Sequence, residues 1–257
     1  MKLKICFIGA GNLATQLSKS FHENGFSISQ IYSRTAKSAS LLANSLKTKY
    51  TTDIGCIDTN ADLYFIALKD SAVDEVLSKI NFNNKLVVHC SGSLPLSVLE
   101  KYSENIGVFY PLQTFSKNRN INFRSIPVFI ESNSTKNEKR LLGIAHEISN
   151  SVSVLDSEKR KLIHISAVFA CNFVNHFYAI SAEILKTKDI PFDILKPLIL
   201  ETAQKVQELE PKNAQTGPAI RFDENIISSH LKELKGINNY EELYNSISKS
   251  IFEYHKK

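Results

Sequence analysis

The chain has 257 residues, of which 43% are hydrophobic, and its formal net charge is +5 at pH 7. This length allows one large or two modest domains, and the hydrophobic content is that of an ordinary globular protein with a buried core. The basic residues are scattered, and no basic run has interleaved aromatic residues, so we expect no nucleic-acid partner.

The four cysteines are far apart in the sequence: Cys6, Cys56, Cys90 and Cys171. None of them forms a pair with metal-ligand spacing, so the pattern predicts reduced thiols and no bound metal. The N-terminus reads as a strand rather than a signal peptide, and no uninterrupted apolar stretch reads as long enough to span a bilayer. We therefore expect a cytoplasmic protein without a membrane segment.

The first predicted elements are a strand over 3–8, a tight glycine turn and a helix. The turn reads Gly-Ala-Gly-Asn-Leu-Ala, the G-x-G-x-x-A pattern of dinucleotide-binding turns. The first glycine permits the sharp turn, the second leaves room for a pyrophosphate, and the alanine lets the helix pack closely against the sheet. We therefore predict cofactor binding by Gly9, Gly11, Asn12, Leu13 and Ala14. A turn that only tightens a strand–helix unit and a site for S-adenosylmethionine are the alternatives.

The end of the second predicted strand, over 28–33, indicates which dinucleotide binds. An acidic residue at this point would bind the ribose 2′-hydroxyl of NAD, and the sequence has none there. Instead, Arg34 is flanked by the hydroxyls of Ser33 and Thr35, and these groups can bind a 2′-phosphate. The pattern favours NADP(H), with a solvated surface arginine as the alternative.

The rest of the N-terminal half continues to alternate between strands and helices. Apolar strands alternating with amphipathic helices predict a Rossmann-type α/β domain over 1–155, with a doubly wound, mostly parallel sheet covered on both faces. Further strands are predicted near 49–51, 63–68, 86–89, 106–110, 128–130 and 152–155, and helices over 36–46, 72–80 and 135–149.

From residue 156 onward the pattern becomes helical, which predicts an all-helical C-terminal domain over 156–257. A long helix over 157–186 is followed by helices over 192–209, 223–234 and 240–254. The long helix is apolar around much of its circumference, so it needs to be buried on several sides. We expect a homodimer that forms through these C-terminal helices.

Ligands of open α/β sheets bind beyond the carboxyl ends of the strands. We predict that Ala67, Leu68 and Cys90, which follow two such strands, line the cofactor. Ser91 is predicted to act on the substrate side. His89 is either a proton donor or a strand-end histidine that is hydrogen-bonded to the backbone.

The long helix carries polar residues that need partners. At about 100° per residue, an α-helix places His164, Val168, Cys171 and Asn175 on one stripe, with Asn172 beside it. We predict that His164 and Asn172 hold the substrate carbonyl, and the alternative is a hydrogen bond between helices in a dimer core.

A loop between two predicted C-terminal helices contains Gly217-Pro218. Thr216 and Arg221 in this loop could bind the carboxylate of a small anionic substrate. In the alternative interpretation, the loop only leads to Asp223, which caps the next helix.

Six segments taken together carry a family resemblance. They are Gly-x-Gly-Asn-x-Ala, Tyr-Ser-Arg-Thr, His-Cys-Ser-Gly-Ser, Tyr-Pro-Leu-Gln-Thr-Phe, His-x-x-Ala-Val-Phe-Ala-x-Asn and Thr-Gly-Pro-Ala-Ile-Arg. In these segments the chain resembles a Rossmann-like bacterial family of largely unassigned proteins. The N-terminal half of that family is similar to deazaflavin-dependent NADP oxidoreductase and pyrroline-5-carboxylate reductase. Its C-terminal half is similar to the helical domain of 6-phosphogluconate dehydrogenase, and some members resemble an alternative ketopantoate reductase.

The resemblance implies an NADP(H)-dependent oxidoreductase that transfers a hydride to a small carbonyl or imine in an interdomain cleft, with ketopantoate as the leading substrate. Two departures from the family pattern limit which site residues can be assigned to this chain by resemblance. Tyr110 stands where members often have histidine, and no lysine lies four residues before Asn172 or Asn175. Lys161 is one turn from His164 and could substitute for that lysine. A non-catalytic NADP(H)-binding sensor or assembly protein remains the alternative.

Overall fold

An eight-stranded sheet organises the N-terminal part of the computed structural model, which describes residues 3–256. The strand order is β3-β2-β1-β4-β5-β6-β7-β8, and every adjacent pair is parallel except β6 and β7. The predicted doubly wound, mostly parallel sheet is therefore confirmed. The strands are β1 Lys4–Ile8, β2 Ser27–Tyr32, β3 Lys49–Thr51, β4 Leu63–Ile66, β5 Leu86–His89, β6 Ile106–Pro111, β7 Val128–Ser132 and β8 Val152–Val154.

Each face of the sheet carries its own hydrophobic core, because successive side chains of a strand point to opposite faces. In β1, Ile5 and Phe7 pack on one face, while Cys6 and Ile8 pack on the other. Phe7 stacks on Phe65 of β4, with 5.2 Å between the ring centroids. Helices associated with this part of the chain are α1 Asn12–Glu23, α2 Ala36–Leu46, α3 Val73–Leu77 and α4 Thr135–His146.

The sheet reverses its winding between β1 and β4, and Gly9 lies at this point. The Ala67 amide donates to the carbonyl of Ile8 at 2.9 Å, and the Gly9 amide donates to the carbonyl of Tyr32 at 2.8 Å. Gly9 has a φ of +125°, and a Cβ on it would overlap the Ala67 carbonyl. Only glycine fits here, so three neighbouring strands can end close together at the edge where ligands bind.

The C-terminal part is helical, as predicted, but its long helix is not uniform. Helix α5 Ser157–Ala167 leads into a π-helical segment, Val168–Phe173, which continues into α6 Val174–Lys186. The wider i→i+5 turns of the π segment change the angular step of the helix. The single stripe expected for His164, Val168, Cys171 and Asn175 is therefore not maintained beyond α5. The later helices are α7 Lys196–Glu208, α8 Pro211–Ala214, α9 Glu224–Leu234 and α10 Tyr240–Lys256.

The chain divides into two compact units between Cys171 and Asn172, inside the π segment. The domain boundary predicted at 155/156 is defined by the change from mixed to all-helical secondary structure. The division into compact units uses a different criterion, so the predicted boundary remains a prediction.

By length and composition alone, the helix Ser157–Lys186 is apolar enough to cross a membrane. An 18-residue window in it has a mean hydropathy of 1.3, and 6% of that window is buried. The sequence analysis predicts that no uninterrupted apolar stretch is long enough to span a bilayer, and this helix does not contradict that prediction, because the polar residues His164, Asn172 and Asn175 interrupt it. A single helix of this kind is weak support for a membrane segment.

Candidate active site

The glycine turn after β1 leaves an uncapped helix N-terminus, a candidate anion site, at the start of α1. A Cβ on Gly11 would point into open space, with no atom within 4 Å, whereas Ala14 is fully buried against the sheet. No side chain caps the helix at Gly11, and the first turn holds no acidic residue. The amides of Asn12 and Leu13 therefore begin a helix whose positive end is free to bind a phosphate.

A basic region lies at the end of β2, where α2 begins. Ser33 is half-buried, whereas Arg34 and Thr35 are exposed, and the Thr35 side chain does not cap α2. No acidic residue occurs from Ser33 through the end of α2. Lys37, in the first turn of α2, is exposed and adds a further positive charge that the sequence analysis did not single out. The region is complementary to a phosphate group.

A cavity of about 360 Å³ lies at the carboxyl ends of β4, β5 and β6. It is formed entirely by the first compact unit. Six of the residues predicted to bind cofactor or substrate line it: Leu13, Ala67, Leu68, Cys90, Ser91 and His164. The other lining residues are Ile66, Asp70, Gly92, Ser93, Tyr110, Pro111 and Gln113.

Tyr110 and His164 form a hydrogen-bonded pair that lines this cavity. The Tyr110 hydroxyl lies 2.9 Å from Nδ1 of His164, and the two rings meet edge to face with centroids 6.0 Å apart. Tyr110 is the penultimate residue of β6 and is 7% exposed. Burial raises the pKa of its phenol, so it carries its proton at neutral pH. The pair can donate a proton to a ligand in the cavity.

Gly92 makes the position of His164 possible. A Cβ on Gly92 would lie 2.6 Å from both Cγ and Nδ1 of the imidazole and 2.9 Å from its Cβ. The loop after β5 therefore passes directly against the face of α5 that carries His164. No local sequence pattern around Gly92 indicates this packing role, because His164 is distant in the chain.

Ser91 lines the cavity, but its hydroxyl is already fully hydrogen-bonded. It donates to Asp70 Oδ2 at 3.1 Å and accepts from the amides of Ser93 at 3.0 Å and Leu94 at 3.1 Å. A hydroxyl has one hydrogen and two lone pairs, so these three bonds use its capacity. This geometry favours a role in shaping the loop, and the predicted catalytic role of Ser91 remains a prediction.

His89 is buried behind the cavity and does not line it. Its Nδ1 accepts a hydrogen bond from the Ser91 amide at 3.2 Å, and it is 1% exposed. Burial, and then the nearby charge of Arg160, lowers the pKa of His89 from 6.5 to about 3. A histidine that stays neutral and binds the backbone favours the structural alternative over the role of proton donor.

Cys90 forms part of the cavity wall next to His89. Its side chain is buried, and burial raises the pKa of the thiol far above its usual range. The thiol is therefore uncharged and unreactive, and it can serve as an apolar surface for a ligand. In the described part of the chain, no group of three or more His, Cys, Asp or Glu residues could hold a metal ion.

The remaining candidates are exposed in the structure. Lys161 is exposed on α5, and Asn172 is exposed in the π segment. Thr216 and Arg221 are exposed in the second compact unit, where Asp223 caps α9 by accepting from the Ile226 amide at 3.3 Å. The cap agrees with the structural alternative for that loop, and the ligand-binding roles of these residues remain predictions.

Comparison with known families and structures identifies the type of protein. Residues 4–92 match the family described as "NADP oxidoreductase coenzyme F420-dependent". Residues 126–251 match the "Domain of unknown function (DUF2520)". None of the curated proteins compared with the chain matches it.

Three solved structures illustrate the likeness. The "putative NADP oxidoreductase BF3122" of Bacteroides fragilis is 50% identical over 98% of both chains, with a TM-score of 0.95. An imine reductase of Myxococcus stipitatus in complex with NADP⁺ shares the fold at 13% identity, over 98% of this chain and 94% of its own, with a TM-score of 0.69. The 1-pyrroline-5-carboxylate reductase of Streptococcus pyogenes shares it at 15% identity, over 99% and 98% of the two chains, with a TM-score of 0.64.

These matches agree with the glycine turn, the basic end of β2 and the mostly parallel sheet. The predicted family and the predicted cofactor are confirmed. The chain belongs to the NADP oxidoreductase family that joins an F420-dependent-type oxidoreductase domain to a DUF2520 domain, and NADP(H) is its cofactor.

Proposed function

We propose that this oxidoreductase reduces a small carbonyl or imine, with Tyr110 and His164 as its proton-donating pair. The observation that carries the proposal is the 2.9 Å contact between the Tyr110 hydroxyl and His164 Nδ1 at the wall of the cavity. The pair stands at the carboxyl ends of the strands, where cofactors and substrates of open α/β sheets bind.

The cofactor would be held by the two anion sites described above. The glycine turn from Gly9 to Ala14 suits the pyrophosphate, because the space beside Gly11 is open and the backbone of the turn is accessible to a phosphate. Arg34, with Ser33 and Thr35, suits the 2′-phosphate, since a guanidinium and two hydroxyls can all donate to it. Ala67, Leu68 and Cys90 would pack against the cofactor as apolar walls of the cavity.

When bound, NADPH supplies a hydride to the substrate carbon. A carbonyl oxygen then needs one proton, and the Tyr110 hydroxyl is placed to give it. His164 Nδ1 can return a proton to the resulting phenolate, and His164 recovers its own proton from water. An imine that is already protonated needs no proton at this step, and the pair then orients the substrate nitrogen.

The charge of the cavity bears on the substrate class. Asp70 is its one carboxylate, and the described lining contains no Lys or Arg. A protonated imine is complementary to this lining. A 2-oxo acid such as ketopantoate needs a cation for its carboxylate, and the described lining of the cavity offers none. We rank a cyclic imine above a 2-oxo acid.

We also propose that the protein is a cytoplasmic homodimer. Several large apolar side chains of the helical region are exposed, including Leu162 at 65%, Ile194 at 65% and Leu198 at 62%. Burying such side chains against a second copy would remove apolar area from water.

A screen of NADPH oxidation against 2-oxo acids and cyclic imines tests the proposed reaction. Steady turnover of either class is the expected result. Tight NADPH binding without turnover of any compound would instead support the non-catalytic sensor. That alternative is favoured by Val168 and Cys171, which stand where related dehydrogenases carry a catalytic lysine.

A further inference from the structure

Arg160 is the most deeply buried charged residue near the candidate site. It lies on α5, four residues before His164, and its side chain is 1% exposed. Residues four apart share one face of a helix. Arg160 and His164 therefore both face the sheet.

The guanidinium of Arg160 is bound on two sides. It forms an ion pair with Glu131 of β7, and it donates to the carbonyl of Leu94 at 2.5 Å and to the Ser157 hydroxyl at 3.1 Å. Leu94 belongs to the loop after β5 that also carries Gly92, the residue that packs against His164. One side chain thus ties α5 to both β7 and this loop.

Glu131 and Ser157 complete the connection. The Ser157 amide and hydroxyl donate to Glu131 at 3.1 Å and 2.8 Å, respectively. The Leu96 amide donates to the Ser157 hydroxyl at 3.0 Å. The first turn of α5 is therefore fixed against the sheet by a network of charged and polar groups.

A buried ion pair is a costly way to hold a helix, because both ions must lose their hydration. Apolar residues of similar volume often stabilise a fold at least as well. Stability alone therefore does not account for a buried charge at this position.

We propose that Arg160 is a positioning residue for the Tyr110–His164 pair: it fixes α5 so that Nδ1 stays within hydrogen-bonding distance of the Tyr110 hydroxyl, and its charge stabilises the phenolate that remains after proton donation. This inference rests on the proposed function, since it assigns a supporting role to the pair that the reaction uses.

The charges around Tyr110 agree with this role. Burial raises the pKa of Tyr110, and the charge of Arg160 lowers it. Glu131 faces Arg160 from β7 and partly cancels its charge, while Asp70 lines the cavity. His89 is close to Arg160 and stays neutral, so it adds no competing charge.

The test compares two variants that change the charge near Tyr110 in opposite directions. Arg160→Met removes the positive charge, and Glu131→Gln removes its negative partner. The titration of 3,5-difluorotyrosine incorporated at position 110 is followed by ¹⁹F NMR in the intact protein, because fluorination brings the phenol into an accessible pH range. Arg160→Met should raise the titration midpoint and Glu131→Gln should lower it, each by about half a pH unit or more.

A merely structural role predicts a different pattern. If Arg160 only anchors α5, the two variants should shift the midpoint in the same direction or leave it unchanged, and either result would overturn the proposal. Lys159→Met, which removes an exposed charge of α5 with 70% of the side chain accessible, is the matched control and should cause no shift.

The double variant keeps the test decisive if Arg160→Met does not fold. Arg160→Met combined with Glu131→Gln should titrate above Glu131→Gln alone, because the two differ only in the arginine charge. An equal or lower midpoint would contradict the proposal. Should neither arginine variant fold, a Glu131→Gln midpoint that fails to fall would contradict it.

Kinetics with an identified substrate provide the second readout. Arg160→Met should lower kcat about tenfold or more with little change in the KM for NADPH, and Arg160→Lys should restore part of the loss. The NMR titration needs no turnover. It therefore tests the role of Arg160 even if the substrate screen fails, and a failed screen counts against the proposed function alone.

Discussion

Gly92 lies so close to His164 that a single added methyl group would occupy the space of the imidazole. A Cβ at position 92 would come within 2.6 Å of two ring atoms and within 2.9 Å of the His164 Cβ, which is attached to the helix backbone. The ring cannot avoid this overlap by a simple rotation, because its Cβ is also too close. The hydrogen bond between His164 and Tyr110 therefore depends on a glycine in a different segment.

Gly92→Ala should displace His164 from Tyr110 and lower turnover by roughly 10²-fold, the scale of losing a positioned proton donor. NADPH affinity should be nearly unchanged. Gly143→Ala on α4 is the matched control, since its Cβ would meet no atom within 4 Å, and it should leave turnover as in the wild type. Normal turnover in Gly92→Ala would mean that the position of His164 does not matter.

Tyr110→Phe and His164→Ala should each reduce turnover about 10²-fold or more while NADPH affinity is retained. The same measurement on Asn172→Ala tests the predicted substrate contact of that residue. Thermal midpoints are measured on the same preparations. A large loss of stability with near-normal turnover would assign the altered residue to the folded core and remove it from the site. Tyr102→Phe, which removes a hydroxyl that donates to Asp74 at 2.8 Å, is the control.

The bounds of helices and strands are predicted well where the sequence pattern that defines them is contiguous in the chain. Helix α2 Ala36–Leu46 and strand β5 Leu86–His89 have the predicted bounds, because each is delimited by turn residues or by a sharp change in polarity. The prediction for 72–80 is less accurate. Helix α3 covers only Val73–Leu77 and follows a short 3₁₀ turn over Asp70–Ala72.

The candidate site was harder to predict because it depends on contacts between distant residues. Tyr110 and His164 are 54 positions apart, and no local pattern indicates that their side chains meet. The π segment Val168–Phe173 changes the helix register without an evident sequence signal. The glycine turn and Arg34 were recognisable because a phosphate-binding turn is a contiguous motif.

Arg34→Ala should weaken NADPH binding by roughly 1.5–3 kcal/mol, the range for a charged hydrogen bond, and should leave NADH binding nearly unchanged. Dissociation constants for both cofactors are measured by fluorescence titration. Arg140→Ala, an exposed arginine on α4, is the control and should change neither constant. Equal affinity of the wild type for NADPH and NADH would contradict the assigned role of Arg34.

His89 should make the fold sensitive to acid. The pKa of His89 is about 3 in the folded protein, whereas the ordinary value of 6.5 applies to the unfolded chain. Between these two pH values the unfolded chain therefore binds a proton that the folded chain does not. The free energy of unfolding should be fully retained above pH 6.5. It should fall by up to about 1.4 kcal/mol for each pH unit between 6.5 and 3.

Denaturant unfolding of the wild type and His89→Gln from pH 7.5 to pH 4 measures this contribution. Carboxylates whose pKa is lowered in the folded protein, such as Asp156, also lose stabilisation in acid. They are the same in both proteins, so the difference between the two curves isolates His89. The wild type should lose more stability than the variant as the pH falls, and parallel curves would show that His89 accepts a proton in the folded state.

The exposed apolar helices predict self-association. Sedimentation of the full chain at micromolar concentration should show a homodimer, because exposed side chains such as Leu162, Ile194 and Leu198 would gain from burial against a second copy. Leu198→Glu places a charge on α7 and should shift the equilibrium toward monomer without loss of helical circular dichroism. Leu41→Glu is the control: Leu41 is also 64% exposed, but it lies on α2, outside the C-terminal helices. Dimers that dissociate equally in both variants would place the interface elsewhere, and a monomeric wild type would refute the prediction.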